Sequence, residues 1–161
     1  MAWYRPSVTT PASGEPLTLD QAKVQTRVDG SDDDSGLAVY IAAARAHVEA
    51  YTSTSLMART IAVKCDDFDD FAAFPVVPLI SVTSIVYVDA AGADQTLSAS
   101  VYEVRTDGLV ASIALKPGQS WPAVQAGSRI LVNAQVGYAA IPDDVKTPHV
   151  SPLPGYGTFI P

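Results

Sequence analysis

The stretch SDDDSGLAVYIAAARAHVEAYTST, Ser31 to Thr54, decides the fold. Ser31 to Asp34 place a cap and a run of carboxylates where the dipole of a helix N-terminus favours negative charge. Beyond them Leu37, Tyr40, Ile41, Ala44, Val48 and Tyr51 recur at spacings of three, four or seven, which sets them on one helical stripe. The spacing predicts a helix over about 33–54 with that stripe as its core face. Arg45 and Glu49 stand four apart on the opposite side, where they suit a weak pair in solvent.

Upstream, Thr18 and Gln21 have capping-box spacing, in which each side chain satisfies the other's free backbone N–H. They predict a shorter helix over about 18–28, stopped near Asp29-Gly30. Before it, residues 1–16 contain Pro6, Pro11 and Pro16 among small polar residues and read as an irregular arm. Trp3 and Tyr4 are the exceptions. They are candidate arm contacts, and docking on their own domain is the favoured version.

Downstream of Arg59 the pattern changes to period two. RTIAVKC reads as a strand and DDFDDFAAFP as an acidic, aromatic turn. SVTSIVYVDAAGADQTLSASVYEVRTDG reads as a strand, a loop at Ala91-Gly92-Ala93 and a broken return strand. LVASIALKPG and SRILVNAQVGY are two further strands. Connections this short require antiparallel pairing, so a β region over about 58–138 is expected. The last 21 residues begin another helix at IPDDVK, about 142–147, which Pro148 stops.

The chain has 161 residues, enough for one domain with appendages, and 48 % of them are hydrophobic. Seventeen acidic side chains against ten basic ones give a formal charge of −7. That balance argues against tight nucleic-acid binding, which needs clustered cations, and against an anionic membrane surface. No apolar run approaches the roughly 20 residues of a membrane span, and the N-terminus lacks the pattern of a signal peptide, so cytoplasmic synthesis is expected. Cys65 is the only cysteine, which leaves no intramolecular disulfide and no cysteine-based zinc site.

No chemical site emerges. DGSDDDSG fails as a calcium loop, because the sixth position from Asp29 is Asp34 and the twelfth is Tyr40. Helix capping and solvated charge is the better reading. The four carboxylates of CDDFDDFAAF have no histidine or lysine nearby in sequence; a solvated turn anchored by its phenylalanines is favoured, with Cys65 as a small buried hydrophobe. His47 and His149 belong to no catalytic motif. No catalytic, cofactor or metal residue is assigned, and an enzyme is not expected.

Taken in order, several segments resemble the head–tail connector (adaptor) proteins of long-tailed bacteriophages and gene transfer agents. The resemblance rests on Pro16, Thr18, Leu19, Ala22, Lys23, Arg27, Val28 and Asp29, then on Ala43, Ala44, Arg45, Val48, Glu49 and Thr52. It continues through FPVVPLISVTSIVYVDAAGADQTLSASVYEV and WPAVQAGSRILVNAQVGYAAIPDDVK, so that it spans about 16–146. It implies an α+β fold: a small N-terminal helical bundle of two main helices plus a short C-terminal helix, with an antiparallel β insertion and extended terminal arms. It also implies a ring-forming structural protein of the virion neck, commonly a homo-oligomer of 12 copies. Such a ring sits between the portal protein and a stopper or tail-completion protein, with DNA passing through its lumen. It would be made in the host bacterial cytoplasm, with no membrane and no cofactor.

After Lys146 the chain departs from that family, whose members continue into an apolar helix. Residues 148–161 carry no Asp, Glu, Lys or Arg, yet hold Val150, Leu153, Pro154, Tyr156, Phe159 and Ile160. They read as an extended docking tail on the portal or a neighbouring subunit, with folding back on the chain's own β domain as the alternative. The competing function is a β-sandwich-like binding module, for carbohydrate for instance, using Trp121 and the tyrosines as stacking platforms.

Overall fold

The computed structural model describes residues 3–107 and 110–140. The expected helix at 142–147 and the tail at 148–161 lie outside the described residues.

Two helices open the domain. Helix α1, Leu19–Thr26, starts from the expected capping box: Gln21 N–H donates to Thr18 Oγ1 at 3.2 Å, and Thr18 N–H donates to Gln21 Oε1 at 2.9 Å. Its end comes at Arg27, whose left-handed backbone (φ 55°) turns the chain before Asp29-Gly30 is reached. Helix α2 spans Asp34–Thr52. The acid-rich turn before it supplies charge rather than a cap, because the Asp33 side chain makes no capping hydrogen bond. Lys23 closes the pair by donating to Gly30 O at 2.7 Å and by bridging to Asp34.

Among the described residues there are seven strands, six of them in the expected β region. Five form one antiparallel sheet in the order β1 (Ser7–Thr10), β2 (Arg59–Cys65), β7 (Ile130–Val136), β3 (Leu79–Val88), β4 (Asp94–Thr96). Strands β5 (Tyr102–Arg105) and β6 (Ser112–Leu115) make a separate antiparallel pair. The register of β2 on β7 runs from Arg59 opposite Val136 to Cys65 opposite Ile130. It turns Ile61, Val63, Cys65, Ile130, Val132, Ala134 and Val136 to one fully buried face. That face packs with Tyr102, Ala111 and Ile113 from the β5–β6 region and with Phe68, Phe71 and Phe74. Phe68 and Phe71 sit on a 3₁₀ turn, Phe68–Ala72. The acidic turn is therefore anchored by its phenylalanines, although one of its carboxylates, Asp70, is buried with them.

Two expectations change. The N-terminal arm is not irregular throughout, since Ser7–Thr10 completes the sheet against β2. Nor is the helical pair the body of the domain. No residue of α1 is buried, and the only buried residue of α2 is Glu49. The hydrophobic core belongs to the β region.

Gly137 joins that core to the end of the helical pair. It adopts φ 102°, donates to Pro78 O at 2.8 Å, and lies so close to residues 57–58 that an added Cβ would meet Met57 O at 2.1 Å. Backbone cannot yield as a flexible side chain can. Gly137→Ala therefore combines a left-handed conformation with a main-chain clash, and a loss of about 3 kcal/mol or more is expected in urea unfolding. A loss below about 1 kcal/mol would show that the contact relaxes cheaply.

Candidate docking surfaces

Helix α2 is attached through charge. Glu49 accepts the backbone N–H of Leu56 on Oε1 at 2.8 Å, and accepts Nη1 of both Arg45 and Arg59 on Oε2 at 3.1 Å. Arg45 in turn holds Glu15 bidentately, with Nε to Oε2 at 2.6 Å and Nη2 to Oε1 at 3.2 Å. The Glu15 hydrogen bond is the largest influence raising the Arg45 pKa above its ordinary value, with its charge and that of Glu49 adding to it against burial. This reverses the expected rotation of the helix. Arg45 and Glu49 face the domain and do not pair in solvent.

The expected core stripe divides accordingly. Leu37 and Ile41 are half-buried, but Ala44, Val48, Tyr40 and Tyr51 point outward, with Tyr40 72 % and Tyr51 86 % exposed. Asp34, Arg45 and Glu49 are the only ionised side chains in the helix, and all three are engaged by the domain or by α1. The solvent face of α2 is left without charge. Val39 on α2 and Val24 on α1 are likewise exposed. An exposed uncharged helix face of this kind is the mark of a contact surface.

The aromatic arm residues are used internally. The indole of Trp3 donates to Asp70 O at 3.0 Å and Ala73 O at 2.8 Å, stacks on Phe71 and meets Phe74 edge-on. Tyr4 donates its backbone N–H to Lys64 O and its hydroxyl to Asp66, beneath the Arg129 guanidinium, which lies 4.0 Å from the ring centroid. Trp121, a candidate sugar platform, stacks flat on Phe68 at 4.6 Å. The docking residues of the tail, Val150, Leu153, Pro154, Tyr156, Phe159 and Ile160, lie outside the described residues.

Between the C-terminal half of α2 and the N-terminal strand lies a cleft of about 450 Å³. Arg5, Arg45, Arg59 and Glu49 line it together with apolar side chains such as Val8 and Val76. No sequence pattern signals it, because Arg5, Arg45 and Arg59 come from three separate segments of the chain. Burial, reinforced by Asp70 and Asp66, pushes the Cys65 thiol up to about 12, which removes it as a nucleophile near neutral pH. Among the described residues no group of three His, Cys, Asp or Glu could hold a metal ion.

An α-helical pair on an antiparallel sheet, with inward charges and an outward apolar helix face, defines a packing module. The comparisons with known proteins agree. The sequence profile of Phage gp6-like head-tail connector proteins matches residues 16–96, half of the chain, and the chain belongs to that family. A chain in the neck of an empty gene transfer agent particle, computed with C6 symmetry, superposes with a TM-score of 0.69 at 21 % identity, covering 85 % of this chain and 73 % of that one. A chain in the virion of a native gene transfer agent particle gives 0.65 at 23 %, with 85 % and 74 % covered. A third, in the native neck computed with C12 symmetry, gives 0.61 at 21 %, with 85 % and 72 % covered. These are likenesses of fold. No curated protein matches the chain by sequence.

Removing the central carboxylate tests how α2 is held. Glu49→Ala strands Arg59 and the Leu56 N–H without their acceptor, and a loss of about 3 kcal/mol in urea unfolding is expected. Glu49→Gln, which keeps an acceptor but not the charge, should lose less.

Proposed function

We propose that this protein is a structural subunit of the virion neck, forming a ring that joins the portal vertex of the head to the stopper or tail and continues the DNA channel. Membership of the connector family supports the neck role. Likeness to chains from necks computed with C6 and C12 symmetry supports a ring, with twelve copies as the favoured number. The observation that carries the reading is the uncharged outward face of α2. Tyr40, Val48 and Tyr51 are left in solvent on a helix whose ionised side chains are all turned inward or paired, and neighbouring subunits would cover them. The net charge of −7 suits a lumen through which a duplex must pass without sticking. The ring acts without catalysis or a cofactor. The tail at 148–161 serves as an extended grip on the portal or an adjacent subunit.

The carbohydrate-module alternative is weakened at Trp121, whose ring is committed to Phe68, whereas the exposed Tyr40 and Tyr51 fit the contact face of α2.

Tyr40→Asp with Tyr51→Asp places charge on the outward face while touching no buried contact. The double variant is expected to melt within a few degrees of the parent, yet to lose at least about tenfold in co-sedimentation with portal rings. Undiminished assembly would remove α2 from the interface. Truncation after Thr147 is expected to weaken the same co-sedimentation while leaving the melting of the domain unchanged; equal assembly would show that the tail has no gripping role.

A further inference from the structure

The cleft beside α2 gathers positive charge in an acidic chain. In a chain with ten basic side chains against seventeen acidic ones, three arginines converge there on a single lining carboxylate. Their commitments differ. Arg45 engages all three of its nitrogens with Glu15 and Glu49. Arg59 gives Nη1 to Glu49, but its Nε–H is buried with no acceptor among the described residues. Arg5 is exposed and makes no hydrogen bond or ion pair among the described residues. The unpaired guanidinium of Arg5, in a cleft it shares with Arg59, can take a carboxylate with charge-assisted hydrogen bonds. Val8 and Val76 add apolar walls of the kind that pack against a peptide.

A complementary feature lies at the other end of the same helix. Asp29, Asp32 and Asp33, in the turn between α1 and α2, are exposed, and their carboxylates make no hydrogen bond or ion pair among the described residues. Sixteen residues of helix separate Asp33 from Glu49, or about 24 Å along the axis, so the turn cannot fold back into the cleft of its own chain. A cyclic ring requires a head-to-tail interface, in which two unlike patches of one subunit meet their complements on its two neighbours. We infer that the arginine cleft of one subunit receives the aspartates of the α1–α2 turn of a second copy. This contact rests on the ring reading above and names the pairing that would set the direction around the ring. It also accounts for how subunits of net charge −7 associate without mutual repulsion dominating: each contributes a cationic cleft to an acidic turn of its neighbour.

Disulfide trapping in the full chain tests the contact while keeping every charge. Val8→Cys places a thiol at the cleft wall and Ser31→Cys places one in the turn, whereas the native Cys65 is buried. Mixing the two variants under diamide should give a mixed dimer at least about fivefold in excess of either homodimer, and a chain carrying both substitutions should give a ladder of multimers. Adding Arg5→Glu to the cleft variant should suppress the mixed dimer, and Asp32→Lys with Asp33→Lys in the turn variant should restore it. Homodimers alone, or no rescue by the reversed charges, overturns the contact. Native mass measurement of the parent with portal rings separates the two readings. Rings without the mixed dimer leave the neck role standing and refute only this pairing. Retention of a DNA duplex that is lost on Arg5→Glu would likewise overturn it, by assigning the cleft to phosphate.

Discussion

Glu49 determines how this molecule presents itself. Its carboxylate ties α2 to the chain at Leu56, to the start of β2 through Arg59 and, through Arg45, to Glu15 ahead of α1. A buried carboxylate without partners would be very costly, so the helix can adopt only the rotation that brings Glu49 to those donors. That rotation has a price on the other side of the helix: the apolar residues that would normally seek a core are turned to solvent. A single buried charge thus converts a helix with core-like composition into an exposed contact surface.

The strands were legible because a strand's signal is local. Alternation in RTIAVKC and SRILVNAQV names both the element and the face it buries, and those faces form the core. The rotation of α2 was not legible. With alanine at six of its 19 positions, the helix has apolar residues on every side, so periodicity selects a stripe without identifying what it meets. The decisive partners, Glu15, Leu56 and Arg59, lie outside the helix and bind through polar atoms, which a search for apolar periodicity passes over. Strand β1 was hidden by the prolines on either side of it; the β-branched run Val8, Thr9 and Thr10 was the signal available. The cleft was invisible for a plainer reason. Arg5, Arg45 and Arg59 converge only through tertiary folding.

The division of labour between core and surface follows. The β region holds the domain together by burying aliphatic and aromatic side chains, with Trp3 extending that core to the N-terminal segment. The helical pair contributes little to the core, which leaves its outer faces available for contacts between molecules. Stability and association therefore draw on different residues, and substitutions at one can leave the other intact.

The position of β7 has a consequence for how the protein is made. Among the described residues it is the last strand in sequence, yet it lies between β2 and β3 at the centre of the sheet. As the chain leaves the ribosome, at about 5–20 residues per second, α1, α2, β2 and β3 all emerge before the strand that joins them. Until Val136 is clear of the exit tunnel, β2 and β3 have no shared partner and their inner faces remain open to water. The nascent polypeptide thus spends several seconds with its future interior uncovered, an interval in which a chaperone has something to bind and after which it has not.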